Sequence, residues 1–311
     1  MKFTHLSDEI IITGGRGLVG SEMTFGKQLS RNDVDLTDRK AAIEFFCDVK
    51  PKWVIHCAGL VGGLKANMTK KAEFFHQNLM MEINILEACY LAKVPNLIAF
   101  MSTCIFPEKY ASTTPLSENI IHDGEPHFSN NAYAYAKRMI DIGINAYKEQ
   151  YNVPNWFSLI PTNLYGKQDN YNLETSHFIP ALIRKAHTAK TQDKNFIVWG
   201  TGEPIREFVY AGDIAKLVYR MIIDNFQSPF DKIIVAPKEN YRIKDVAQII
   251  ANKFNVESIK YDISYPDGQY QKITDATRFA GLFPDFEFTS LEKGLDYTIE
   301  YYLNNQDKLR L

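Results

Sequence analysis

The stretch IIITGGRGLVG, residues 10–20, decides the architecture. Three β-branched residues in a row, Ile10 to Ile12, read as a short buried strand, and the glycines after them turn the chain sharply at its end. Gly14, Gly17 and Gly20 follow the spacing GxxGxxG. Glycine at such positions lets backbone approach a pyrophosphate with no Cβ in the way, and lets the next segment pack closely. The pattern predicts a parallel, dinucleotide-binding sheet that begins at the N-terminus. A helix after the glycines is expected to offer its free N–H groups to the anion. The competing reading is a turn whose glycines are merely conformational.

The next crossover is short, with 18 residues from Ser21 to Asp38. It leaves room for a first helix of two turns and a second strand as short as Lys27–Ser30. At the end of that strand a dinucleotide fold usually places an acidic residue on the adenosine ribose. This chain has Arg31 instead, with Arg16 inside the glycine loop. Two arginines near that ribose favour a 2′-phosphate, hence NADP over NAD.

Further along, residues 39–48 read as a helix, Trp53–Cys57 as a strand and 72–92 as a long helix. Leu97–Met101 reads as a strand, Tyr133–Tyr151 as a helix and Trp156–Ile160 as a strand. Strands alternating with helices at this pitch predict α/β layering with right-handed crossovers. After residue 165 the rhythm breaks at the polar, turn-rich GKQDNYNLETSH. A helix at Phe178–Ala189 and a strand at Phe196–Trp199 follow. Leu217–Ile223 and Ile233–Val235 read as returns to the sheet, and 242–254 and 290–303 as amphipathic helices. The expected organisation is a Rossmann-type parallel sheet with helices on both faces over 1–170, with sheet returns near 206–238. A smaller α/β substrate domain comes from 171–205 and 239–311.

AYAYAKRMID, residues 132–141, offers two tyrosines and one lysine. No Pro or Gly interrupts it, so it reads as helix. Four residues advance about 400°, which places Tyr133 and Lys137 on one face, whereas Tyr135 points elsewhere. A tyrosine alone is a weak acid, with an unperturbed pKa of about 10. A lysine one turn away favours the phenolate, so this pair suits proton transfer to or from a carbonyl oxygen.

Composition excludes several other classes. A chain of 311 residues, 45% hydrophobic, buries a core without covalent staples. The formal charge is −2 with both signs mixed along the chain, which is no nucleic-acid footprint. The basic tail Lys308–Leu311 reads as a solvated terminus. Cys47, Cys57, Cys89 and Cys104 form no CxxC, so neither a disulfide framework nor a metal site is expected, and a reducing compartment is. MKFTHLSDEI lacks the apolar core of a secretory signal, and no apolar run approaches the ~20 residues that span a bilayer. A soluble cytoplasmic protein with no membrane or nucleic-acid partner is the expectation.

Seven segments converge on one resemblance: TGGRGLVG (13–20), CAGLVGG (57–63), STCIFP (102–107), Tyr133-x-x-x-Lys137, PTNLYGKQDN (161–170), SHFIPAL (176–182) and VWGTGEPIREF (198–208). Together they resemble the extended short-chain dehydrogenase/reductases, and among these the GDP-sugar 3,5-epimerase-4-reductases. The likeness runs nearly the full length, through YPDGQ (265–269) and the final helix. The glycines and YxxxK specify only the superfamily, whereas STCIFP, PTNLYG…DN and WGTGxPxREF specify the branch. The shortened 21–37 region departs from the pattern, on the adenosine side of the site.

The resemblance implies NADPH-dependent conversion of GDP-4-keto-6-deoxymannose to GDP-L-fucose, by epimerisation at C3 and C5 followed by reduction of the C4 ketone, in a homodimer. It implies Ser102, Cys104, Tyr133, Lys137 and His177 as catalytic. On their own, Cys104 would read as a small buried hydrophobe and His177 as a helix cap; the resemblance makes them the acid–base pair for C3 and C5. For NADP it implies Gly14, Gly15, Arg16, Gly17, Leu18, Val19, Gly20, Arg31, Ala58 and Gly59, then Tyr133, Lys137, Pro161, Thr162, Asn163, Leu164 and His177. For the GDP-sugar it implies Ser102, Asn163, Lys185, Trp199, Arg206 and Asp267. A 4-epimerase or a dTDP-sugar 4-reductase would need Tyr133 and Lys137 but has no use for Cys104 with His177. A non-catalytic cofactor-binding regulator would not keep Ser102, Tyr133 and Lys137. For a dimer interface, 72–92 and 132–151 offer apolar helix faces, which would serve equally to cover the sheet.

Overall fold

The computed structural model describes residues 3–311 apart from 112 and 114. Six parallel strands form the main sheet: β1 (Ser7–Thr13), β2 (Gly26–Leu29), β3 (Trp53–His56), β4 (Asn96–Phe100), β5 (Asn155–Pro161) and, later in the chain, β10 (Lys232–Val235). Their order is β10-β5-β4-β3-β1-β2. The chain leaves β1 for β2 on one side and returns to β3 on the other. That reversal opens a crevice beyond the carboxyl ends of β1 and β3, where such sheets bind ligands.

Side-chain alternation assigns each strand residue to a face. Ile11, Val54, Leu97 and Trp156 pack under α1 (Arg39–Val49), α3 (Lys71–Leu91) and α4 (Asn131–Tyr151), the short α2 (Leu64–Thr69) preceding α3. Ile10, Ile12, Ile55, Ile98 and Phe157 face the other side, under α6 (Ala211–Ile223). Local signals set the helix ends: Asp38 caps α1 by accepting from the amides of Lys40 and Ala41, and Asn152 closes α4 at a φ of 52°.

A separate core joins α5 (Phe178–Gln192), α7 (Ile243–Phe254) and α9 (Leu291–Asn304). Short strands complete this part: β6 (Asn163–Tyr165) with β9 (Phe208–Tyr210), β7 (Phe196–Trp199) with β12 (Ile259–Asp262), and β8 (Ile205–Arg206) between β11 (Tyr241–Arg242) and β13 (Gln271–Lys272). One C-terminal element crosses back, since Phe279 of α8 (Thr277–Leu282) and the adjacent Phe283 pack on the main sheet.

Three expectations need correction. Leu217–Ile223 is the second half of α6, not a strand: Ile214, Leu217, Val218 and Met221 form one buried helical stripe. The helix expected after the glycines is a single 3-10 turn, Gly20–Glu22. β2 pairs with β1 from Gly26, so the chain has no length for more, and buried Met23 and Phe25 cover the sheet where helical residues would otherwise sit. Finally, the C-terminal tail docks through Leu309 and its backbone, while Lys308, Arg310 and Leu311 are exposed as expected. Leu309 packs on the second core, and the carbonyl of Arg310 accepts from the amide of Tyr171 at 2.8 Å.

Candidate active site

A cleft of about 1650 Å³ opens beyond the carboxyl ends of β1, β3, β4 and β5, roofed by the second core. Every residue assigned to catalysis, cofactor or substrate from the sequence lines it.

Backbone geometry shapes the floor. Gly14 has a φ of 66°, and a Cβ there would lie 2.7 Å from the amide nitrogen of Ala58. A Cβ on Gly20 would lie 2.4 Å from the carbonyl oxygen of Gly14. Any side chain at either position would therefore fill the turn, which leaves a cradle of the shape a pyrophosphate needs. Gln28 Nε2, which the sequence reading missed, donates to the carbonyl of Gly20 at 2.7 Å and braces that turn. Arg31 sits two residues past β2, with Nε and a terminal nitrogen donating to Asp35 Oδ2 at 3.0 and 2.9 Å.

In the middle of the cleft, Tyr133 and Lys137 share one face of α4, and both are buried. Tyr135 turns away, its ring 5.4 Å from the Arg138 guanidinium. Burial pushes the Tyr133 phenol above its usual range, with nearby Cys104 and Glu82 adding to this and the Ser102 hydroxyl opposing it. The sequence reading expected Lys137 to favour the phenolate. Lys137 Nζ instead lies 2.5 Å from Glu82 Oε1, a buried carboxylate on α3. Behind Glu82 stand two more polar groups the sequence reading missed. His56 Nε2 is 3.0 Å from Glu82 Oε2, and His56 Nδ1 is 2.9 Å from Thr13 Oγ1. The available signal was an acid at position 82 between apolar Met81 and Ile83.

Ser102 and Cys104 follow β4, with Ser102 Oγ accepting from the Cys104 amide at 3.3 Å. His177 occupies the N-cap position of α5, but its side chain caps nothing. The residue is exposed at the cleft, with the surrounding protein desolvating its imidazole. That desolvation, with Arg310 nearby, holds its pKa below the ordinary imidazole value. Cys104 has cationic neighbours in Arg206 and Lys272, adjacent partners on β8 and β13.

At the far end, Lys185 Nζ lies 4.3 Å from the Trp199 ring centre and donates to the carbonyl of Ile197 at 3.1 Å. Trp199 is 38% exposed and stacks on Tyr265. Asp267 accepts from the amide and hydroxyl of Thr201, both at 2.7 Å. Arg206 donates to the carbonyls of Ile205 and Gln269 at 2.7 and 2.5 Å. Burial depresses the pKa values of Lys185, Arg206 and Lys272. Crowded, partly desolvated cations of this kind suit a bound anion. Asn163 Nδ2 donates to the carbonyl of Glu207 at 2.8 Å, at the start of the short β6–β9 ladder. Asp169, also missed from the sequence, is buried in the cleft wall with Oδ2 unpartnered, which pushes its carboxyl up to about 7.

Comparison with known proteins agrees along the whole chain. Residues 24–235 match the NAD dependent epimerase/dehydratase family, a match that begins past the glycine loop. The GDP-L-fucose synthase of Dictyostelium discoideum is 36% identical over 314 residues, 97% of each chain. That of Escherichia coli (strain K12) is 34% identical, covering 97% of this chain and 98% of its own. The crystal structure of a GDP-L-fucose synthetase from Naegleria fowleri bound to NADP superimposes with a TM-score of 0.88. It is 37% identical and covers 99% of this chain and 97% of its own.

Proposed function

This chain belongs to the NAD dependent epimerase/dehydratase family and, within it, to the GDP-L-fucose synthases, and on that premise we propose how its cleft divides the work. The protein is an NADP-dependent epimerase and reductase that converts GDP-4-dehydro-6-deoxy-D-mannose to GDP-L-fucose. The observation that carries the assignment of roles is the meeting of Ser102, Cys104, Tyr133, Lys137 and His177, from three distant segments, in one cleft.

The protons at C3 and C5 both lie α to the C4 ketone, so one polarised carbonyl acidifies both. In our reading Ser102 and Tyr133 hydrogen-bond the C4 oxygen and stabilise the negative charge that builds there. Cys104 and His177 take a proton from one face of the sugar and return one to the other, inverting the carbon. A pKa held below the ordinary value keeps His177 neutral near pH 7, so that it can accept a proton. NADPH, when bound, supplies the hydride to C4. Tyr133, which burial keeps protonated, gives its phenolic proton to the C4 oxygen as the alcohol forms.

The glycine cradle at 14–20 with Ala58, Gly59 and the 161–164 segment would hold the dinucleotide, and Arg16 and Arg31 its 2′-phosphate. Lys185 and Arg206 would take the diphosphate of the sugar nucleotide, Trp199 the guanine, and Asn163 and Asp267 further polar groups. We further propose the division into a cofactor domain (1–170, with sheet returns at 206–238) and a substrate domain (171–205 and 239–311), supported by their separate cores. A homodimer belongs to this reading, supported by Phe75 and Ile83 on α3 and Ile142 on α4, all exposed. So does a cytoplasmic location, supported by four free cysteines. Among the described residues no helix is long and apolar enough to cross a membrane.

Incubation with GDP-4-keto-6-deoxymannose and NADPH in deuterated water tests the reading. Cofactor oxidation should accompany formation of GDP-L-fucose labelled at C3 and C5. A reduced sugar without inversion or label would make the protein a plain 4-reductase.

A further inference from the structure

Behind the tyrosine and lysine runs a buried polar chain that the reaction described above does not use. Thr13 and His56 are register partners on β1 and β3, and strand alternation turns both toward α3. There, facing them, stands Glu82. Glu82 is 1% exposed, His56 0%, Thr13 1% and Lys137 3%, so the chain is largely shielded from bulk water. The amide of Ala58 donates to Thr13 Oγ1 at 3.3 Å, and the same oxygen is hydrogen-bonded to His56 Nδ1 at 2.9 Å. His56 Nε2 stands 3.0 Å from Glu82 Oε2, a close polar contact that lacks hydrogen-bond geometry. Glu82 Oε1 is left for Lys137, at 2.5 Å. One carboxylate oxygen is thus bonded to Lys137, and the other faces His56 Nε2 without a hydrogen bond.

We propose that Glu82 is a positioning residue for the reduction step, fixing the Lys137 ammonium beneath the tyrosine and, through its negative charge, setting the pH at which Tyr133 ceases to be a proton donor. The proposal rests on the assignment of Tyr133 and Lys137 as the reductive pair. An isolated carboxylate at this depth would be neutral. Burial does push Glu82 upward, but Lys137 and His56 outweigh it and hold the carboxyl below the ordinary range. The ionised form therefore persists, and it raises the proton affinity of Tyr133. His56, itself bonded to Thr13, stands against the other carboxylate oxygen. Asn78, one turn earlier on α3, fixes the neighbouring loop by bonding both the amide and the carbonyl of Leu60, at 2.9 and 3.0 Å. The remaining titratable and charged groups around the pair are Cys57 at the end of β3, Cys104 after β4, and Arg206 and Lys272 beyond Cys104. None of these is bonded to Glu82.

Glu82→Gln is the informative variant, because it removes the charge and keeps the hydrogen bond to Lys137. A glutamine oxygen accepts from Lys137, and its amide can face His56 Nε2 when the imidazole proton lies on Nδ1 toward Thr13. Three measurements are made on the same protein: NADPH affinity by fluorescence titration, deuterium exchange at C3 and C5, and the pH profile of ketone reduction. Reduction should slow roughly 10- to 100-fold, less than the full 10²–10⁴ of a general acid, and its alkaline limb should move to lower pH. Exchange at C3 and C5 should fall much less than reduction, since Tyr133 still hydrogen-bonds the C4 oxygen there without giving up its proton and Cys104 and His177 are untouched. Unaltered reduction with an unmoved limb overturns the proposal. So does a parallel loss of exchange, reduction and NADPH binding, which would mark Glu82 as merely structural. Should Glu82→Gln not fold, Glu82→Asp carries the test, since it keeps the charge but retracts it. The expectation is then slower reduction with the limb unmoved and exchange retained, and proportional loss of both activities again overturns it. Tyr133→Phe is the control for the underlying assignment. If that variant reduces the ketone normally, the Tyr133–Lys137 reading fails, whatever Glu82 does.

Discussion

Trp199 and Tyr265 lie face to face, ring centres 4.1 Å apart and planes within 6°. Lys185 sits over the same indole. A tryptophan at a strand end is usually core, but this one is held exposed between a ring and a cation at the end of the cleft. Stacking of a base on an aromatic ring contributes about 1–3 kcal/mol. Trp199→Ala should therefore raise KM for the GDP-sugar roughly 5- to 100-fold, with much less effect on kcat. Unchanged KM would move the base elsewhere.

Arg31 is held by Asp35 at the edge of the cleft, on the adenosine side. Replacing it with alanine should raise KM for NADPH far more than KM for NADH, because only NADPH carries a 2′-phosphate. Steady-state kinetics with both cofactors decide the matter, and equal effects would remove Arg31 from phosphate recognition.

Cys104→Ser preserves size but raises the side-chain pKa out of useful range. His177→Asn removes the imidazole from a position where it caps nothing. In deuterated water, both variants should lose most label incorporation at C3 and C5 by NMR while still binding NADPH. Full incorporation at both carbons in both variants would assign the proton transfers to other residues.

Asp169 makes stability depend on pH with a defined sign. Its folded pKa is about 7 against an ordinary 3.8, so between these values the folded state binds more protons than the unfolded one. Stability contributed at this position therefore falls as pH rises from about 4 to about 7, by roughly 1.4 kcal/mol per unit at most, and is level above that. Asp169→Asn still accepts from the Asn170 amide and removes the loss. In urea unfolding, the variant's advantage should be small at pH 4.5 and largest above pH 7. A constant difference across this range would contradict the raised pKa.

Local order in this chain is carried by short-range chemistry, and the sequence expressed it directly. The apolar runs became β3, β4 and β5 within a residue at each end, and Ile10–Ile12 became the buried half of β1, which starts at Ser7, because buried parallel strands need little beyond apolar continuity. The four-residue spacing of Tyr133 and Lys137 placed both on one helix face by helical pitch alone. Where periodicity is ambiguous the sequence misled: the apolar run 217–223 suits a buried strand or a buried helix, and its packing under the sheet chose helix. The tertiary structure alone decided the partners of Lys137. Thr13, His56 and Glu82 come from β1, β3 and α3, separated by 43 and 55 residues across their bonds, and no local pattern encodes which buried acid meets which buried base. The same holds for Arg310, which reads as a free tail until its backbone pairs with Tyr171. Hydrogen-bond satisfaction in a dry interior depends on the facing element, and only folding brings that element into place.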